Sequence, residues 1–229
     1  MKYLLRTFPL IFLMIYPAFA MTAGDGICIR YQKEQNGRTL ERGKIYFHVR
    51  EGMYLLLDHP LNQRVSMRPE QFVYYYPDDN IALIMNNREQ AIAPGFLQLF
   101  LYSDREDPGL TELGFILREH TMQSDTLIKA WELKGVKKRE YVRIEMYYHR
   151  ERVYKSLSYD ASGDIIKQVR FADWRRGQKY FYPMHIRVGD EAVTYEYRFD
   201  DLQFIAGIPD SVKLLFLLPE DCEINAYTW

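Results

Sequence analysis

The residues of this chain from which chemistry could be built are five histidines, two cysteines and a scatter of carboxylates. The histidines (His48, His59, His120, His149 and His185) lie far apart, and none stands at metal-ligand spacing from another. No His-Glu-x-x-His or Cys-x-x-Cys occurs, so the sequence offers neither a zinc motif nor a thioredoxin-like redox pair. A Gly-x-Ser-x-Gly nucleophile elbow and a phosphate-cradling glycine loop are missing as well. Asp160-x-Ser162-x-Asp164 opens like a calcium loop. Ile165 then stands where such a loop needs glycine, and Phe171 where it needs glutamate, so a hairpin turn is expected instead. No catalytic residue, metal ligand or cofactor follows from these patterns, and the chain is expected not to be an enzyme. Two short basic clusters, Lys137-Lys138-Arg139 and Arg175-Arg176 beside Trp174, read as solvated turns or as docking patches for an acidic partner or lipid head groups.

The elements that must position any site begin after a transport label. Residues 1–20 carry Lys2 and Arg6, an apolar run from Phe8 to Tyr16, and Pro17-Ala18-Phe19-Ala20 with small residues at the −1 and −3 positions. This is the pattern of a cleavable signal peptide, too short in its apolar part to span a bilayer. Cleavage after Ala20 would leave a single domain over 21–229 and a periplasmic location. That domain holds 28 basic against 31 acidic residues, a balance that excludes the clustered basic excess of a nucleic-acid binder. In an exported chain Cys28 and Cys222 read as a disulfide, the alternative being two separate buried thiols. Aromatics make up 15% of residues and 19 are tyrosines, whose apolar body and wet tip suit strands between a greasy space and water.

Alternation with period two dominates the rest. Ile27, Ile29 and Tyr31 lead to Asn36-Gly37, a hairpin signal. Ile45, Phe47 and Val49 follow, then Met53, Leu55 and Leu57 after Glu51-Gly52, then a stop at His59-Pro60. Phe72, Tyr74 and Tyr76 precede the turn Pro77–Asn80, and Ile81, Leu83 and Met85 return. Between Ala91 and Leu101 the spacing becomes helical, with Ile92, Phe96, Leu99 and Phe100. Strands are then predicted in succession to Phe204, followed by a helical turn from Ile208-Pro209-Asp210 and a last apolar strand over Leu214–Leu218. About a dozen antiparallel strands with one helical insertion predict a mainly β fold whose sheet curls into an open or closed barrel and can leave an interior for a ligand.

Three stretches in order resemble the outer-membrane lipoprotein carrier (LolA-like) family. These are Gly43-Lys-Ile-Tyr-Phe-His-Val-Arg50, then Phe72-Val-Tyr-Tyr-Tyr-Pro77, then Tyr159-Asp-Ala-Ser-Gly163, with Tyr182-Pro183 and Phe216-Leu-Leu-Pro219 beyond. The resemblance covers roughly residues 27–225. It implies a half-open, unclosed barrel with a helical lid that receives acylated lipoproteins in the periplasm and passes them toward the outer membrane. It also implies membrane-bound lipoprotein-handling partners and a lid-latching arginine, for which Arg50 is the candidate. Here Arg50 is followed by Glu51 rather than proline, Val73 replaces a tryptophan, and Met21 to Gly26 leaves no room for an N-terminal helix.

The expected function is that of an acyl-chain carrier or chaperone. Its cavity would be lined by Val49, Met53, Leu55, Leu57, Phe72, Tyr74, Ile81 and Leu83, with Phe96 and Phe100 as cover. A lipid- or lipoprotein-sensing regulatory domain fits the same residues. An integral outer-membrane barrel would explain the alternating tyrosines, but Arg143, Glu145, His149, Arg150 and Glu151 crowd one hairpin and would burden a lipid-facing belt.

Overall fold

The computed structural model describes residues 26–48, 50–68, 71–86, 107–111, 113–135, 141–176, 181–190 and 192–228. The predicted helix over 91–101, the signal segment, Val49, Phe96, Phe100 and the Lys137–Arg139 cluster lie outside these residues.

Period-two patterning becomes strand wherever a turn residue frees it. β1 (Gly26–Gln35) and β2 (Arg38–His48) are joined by Asn36 at φ 51° and Gly37 at φ 76°, the left-handed pair that a two-residue hairpin needs. β3 (Gly52–His59) follows a second turn, and β4 (Gln63–Arg68), β5 (Gln71–Tyr76) and β6 (Ile81–Asn86) continue the meander. After a turn in which Phe115 N–H returns to Leu110 O come β7 (Phe115–Gln123), β8 (Thr126–Leu133), β9 (Arg143–His149) and β10 (Arg152–Tyr159). β11 (Ile165–Arg176), β12 (Phe181–Gly189) and β13 (Thr194–Ile205) lead to a five-residue helix, α1 (Asp210–Leu214), and β14 (Glu223–Thr228).

These form one 14-stranded sheet in the order β14-β6-β5-β4-β3-β2-β1-β13-β12-β11-β10-β9-β8-β7. Its two end strands are not paired with each other, so the sheet is unclosed. An integral membrane barrel requires closure, because unpaired backbone groups cannot sit in hydrocarbon. The described residues fall into two compact units. One holds 107–168 and 174–183; the other holds 26–86, 169–173 and 184–228.

Three expectations are corrected. β4 was not anticipated, because only Val65 and Met67 carry its apolar phase between Arg64, Ser66 and Arg68. Leu214–Leu218 is not a strand: it is the end of α1 and the turn after it, and the closing strand is β14. β14 pairs with β6 in parallel, Glu223 opposite Ile81 through Thr228 opposite Asn86, so the sheet is not wholly antiparallel.

One glycine is fixed by close approach. A Cβ on Gly43 would lie 2.2 Å from Leu56 O, at the β2–β3 irregularity between Arg42 and Gly43. Gly43→Ala must push the two strands apart. It is expected to destabilise the protein by about 1–3 kcal/mol, seen as a lower urea midpoint at unchanged slope.

Candidate functional site

The register of β1 to β6 lines up the predicted residues. Ile27, Phe47, Met53, Met67, Phe72 and Met85 are successive cross-strand partners, and so are Ile29, Ile45, Leu55, Val65, Tyr74 and Leu83. Partners opposite one another share a face. Met53, Leu55, Leu57, Phe72, Tyr74, Ile81 and Leu83 are therefore brought together on one side of the sheet. The ladders are buried from β1 to β5, and their β6 members Ile81, Leu83 and Met85 are half-buried. Burial pushes the Tyr74 hydroxyl up to about 12, so it stays a neutral, apolar-bodied member of the strip.

Sequence reasoning missed the polar end of this strip. Lys33 continues the inward phase of Ile27, Ile29 and Tyr31 and is buried; its Nζ lies 3.0 Å from Glu41 and 4.8 Å from the Tyr195 ring centre. Tyr31 donates to the same carboxylate at 3.3 Å. Burial, then the Glu41 charge, holds the Tyr31 hydroxyl well above its ordinary range. The signal was available: a lysine at i+2 from three inward residues must itself face inward.

The opposite face of the same unit is covered differently. Cys28, Tyr46 and Tyr54 pack with Ile208 and Val212, and Phe216 meets the Tyr54 ring edge-on at 4.9 Å. Cys28 thus sits under α1, whereas Cys222 lies at the turn before β14, and both are free thiols. The expected disulfide is not formed. Five strands separate β1 from β14 in the sheet order, so the two thiols belong to distant parts of it.

Arg50, the candidate latch, is an exposed turn residue, and its neighbour Glu51 does the fastening here. Glu51 accepts from Lys213 Nζ at 2.5 Å and from Ile208 N–H at 3.0 Å, with His48 Nδ1 at 3.4 Å. The Lys213 hydrogen bond, against a smaller desolvation cost, holds the Glu51 carboxyl below its usual range.

The other unit carries a polar cleft of about 570 Å³, lined by Glu132, Arg143, Glu145, Tyr159 and the Asp160–Gly163 turn. Glu145 accepts from Tyr147 and Tyr159, each at 2.7 Å, and from Arg143 at 2.8 Å. Burial alone would raise Glu145; the two tyrosine hydroxyls and Arg143 together bring it below its usual range. Burial and the same carboxylate lift Tyr159 to about 12. Asp160 is occupied by the Ser162 and Asp164 amides at 2.8 and 3.0 Å, the expected hairpin turn. Glu132, Arg143, Glu145 and Asp160 each have an ion-pair or hydrogen-bond partner. Among the described residues, no group of three His, Cys, Asp or Glu side chains could hold a metal ion.

An unclosed, mainly β sheet of this order defines the fold class as LolA-like, and solved structures share it. A candidate outer membrane lipoprotein-sorting protein domain from Vibrio parahaemolyticus superposes with a TM-score of 0.57 at 14% identity, over 83% of this chain and 89% of that one. A DUF1329 family protein from Desulfovibrio piger gives 0.53 at 16% identity, over 83% and 89%. A LolA superfamily protein from Nitrosomonas europaea gives 0.51 at 14% identity, over 84% and 90%. The sequence itself matches no family model and no curated protein. At these identities the likeness is one of fold.

The Glu51 fastening has a pH signature. Its folded pKa lies below the unfolded value, so its stabilisation is present above the ordinary carboxylate pKa of about 4.3 and fades as pH falls through the lower folded value. Glu51→Gln is expected to lower the melting temperature at neutral pH. Scans on both proteins at decreasing pH should show that gap closing with acid.

Proposed function

We propose that this protein shelters acyl chains of a lipid or lipoprotein on the ladder face of β1 to β6, in the periplasm, for delivery toward the outer membrane. The observation that carries this reading is the apolar strip itself. It runs uninterrupted across six successive strands and ends half-open at β6. Each methylene withdrawn from water onto such a strip gains about 0.8 kcal/mol, so holding a chain calls for no catalytic group. The lipoprotein-sorting and LolA superfamily neighbours support the reading through their fold. Inner- and outer-membrane lipoprotein-handling proteins are the partners it implies.

The protein purified from periplasm should carry acylated species in native mass spectrometry and should take up a fluorescent fatty acid. Leu83→Glu places a charge on the half-buried end of the strip, where refolding of the core is not required. Uptake should fall by about tenfold or more, since a carboxylate facing the chain forfeits more than the ~1.4 kcal/mol that a decade represents. Wild-type protein that carries no lipid and takes up no probe would remove the reading.

A further inference from the structure

The stretch from Ile208 to Ile224 carries more apolar surface than its packing on the sheet uses. Ile208, Val212 and Phe216, four residues apart, occupy the sheet-facing positions against Cys28, Tyr46 and Tyr54. Leu214 and Leu217 point away from that contact and are 63% and 67% exposed, with Leu215 between them at 38%. β14 extends the patch. Ile224, 53% exposed, shares a cross-strand line with Ala82, Tyr75 and Arg64, and Arg64 donates to Leu215 O at 2.5 Å. Single exposed leucines are ordinary, but a cluster on one face marks a site of interaction.

The rim of the patch is mostly acidic. Asp210, Glu220 and Asp221 are exposed; Lys213, the single basic residue from 210 to 224, is engaged by Glu51 and Asp210, and Arg64 by the Leu215 carbonyl. The patch is also held firmly, through Glu51, Arg64 and the Tyr54–Phe216 contact, so little ordering entropy is lost on binding. We propose that Leu214, Leu215, Leu217 and Ile224 form a docking surface for a partner protein segment whose apolar residues are flanked by lysines or arginines, as in a basic amphipathic helix. These three carboxylates repel an anionic lipid surface, and a second copy of this chain would set the same carboxylates against each other. Charge complementarity leaves the basic segment as the occupant. This surface lies on the opposite face from the ladders and stands whether or not they hold an acyl chain.

The test uses the full exported chain and two fluorescent helical peptides, one of leucine and lysine and one with glutamate for each lysine. Anisotropy should show binding of the lysine peptide only, weakening as salt shortens the Debye length. Leu214→Ser with Leu217→Ser should cost about tenfold or more in affinity, the effect of removing central apolar anchors. Both sites are exposed, so the fold should survive. Glu220→Lys with Asp221→Lys provides a second variant and should shift preference toward the glutamate peptide. Equal binding of both peptides, or unchanged affinity in both variants, overturns the proposal. So does a patch whose serine variants lose phosphatidylglycerol-vesicle binding or self-association in sedimentation while peptide binding is unaffected.

Discussion

The cross-strand register of β1 to β6 is the constraint on which the second unit rests. Side chains alternate with an exact period of two, so a slip of one residue would move a whole strand's apolar set to the other face. Here the pairing keeps Ile29, Ile45, Leu55, Val65, Tyr74 and Leu83 in one line across six strands. The turns enforce it. Asn36-Gly37 fixes β1 against β2, and the turn in which Glu51 N–H returns to His48 O, with Gly52 at φ 92°, fixes β2 against β3. Gly43 absorbs the one irregularity in that second pairing by letting the Leu56 carbonyl approach where any Cβ would stand. The same phase that carries hydrocarbon inward from Ile27 carries Lys33 inward, and its burial is tolerable because Glu41 neutralises it at 3.0 Å.

The two faces of this unit are finished by different physics. One is a continuous apolar strip bounded by an ion pair. The other is closed by a helix too short to be stable alone, since five residues make barely more than one turn. α1 therefore depends on tertiary contacts: Val212 and Phe216 against the sheet, and Glu51 for the charge of Lys213 and the amide of Ile208. That arrangement leaves the opposite side of the helix and the turn after it exposed, which is where Leu214 and Leu217 stand.

Much of this was legible in the residues. The strong alternations gave β1, β2, β3, β5 and β6, and the inward set Met53, Leu55, Leu57, Phe72, Tyr74, Ile81 and Leu83 does share a face. β4 escaped because two apolar residues between arginines and a serine make too short a signal. Leu214–Leu218 misled because a run of leucines has no period of its own; Pro209 ahead of it and Pro219 after it favoured a helical turn and a stop over a ladder. The parallel seat of β14 beside β6 is a long-range pairing that no local pattern encodes. The same holds for the cysteines. An exported chain with two of them suggests a bridge, but only the strand order shows that β1 and β14 are far apart. Glu51 was seen as a departure beside Arg50, whereas its role depends on a lysine 162 positions later.

The charged residues sort in a way that bears on mechanism. In the cleft of the other unit, Glu132, Glu145 and Asp160 are each satisfied by arginine, tyrosine or backbone donors. The apolar strip presents the reverse: hydrocarbon buried from β1 to β5 and half-buried at β6. For an acyl chain of about fifteen methylenes, withdrawal from water is worth roughly 12 kcal/mol, and association costs an estimated 4–15 kcal/mol in lost freedom. The difference runs from about 8 kcal/mol in favour of holding the chain to about 3 kcal/mol against it. If the strip holds an acyl chain as proposed, the affinity reaches at most about micromolar, and release would need only a competing apolar surface rather than a chemical step.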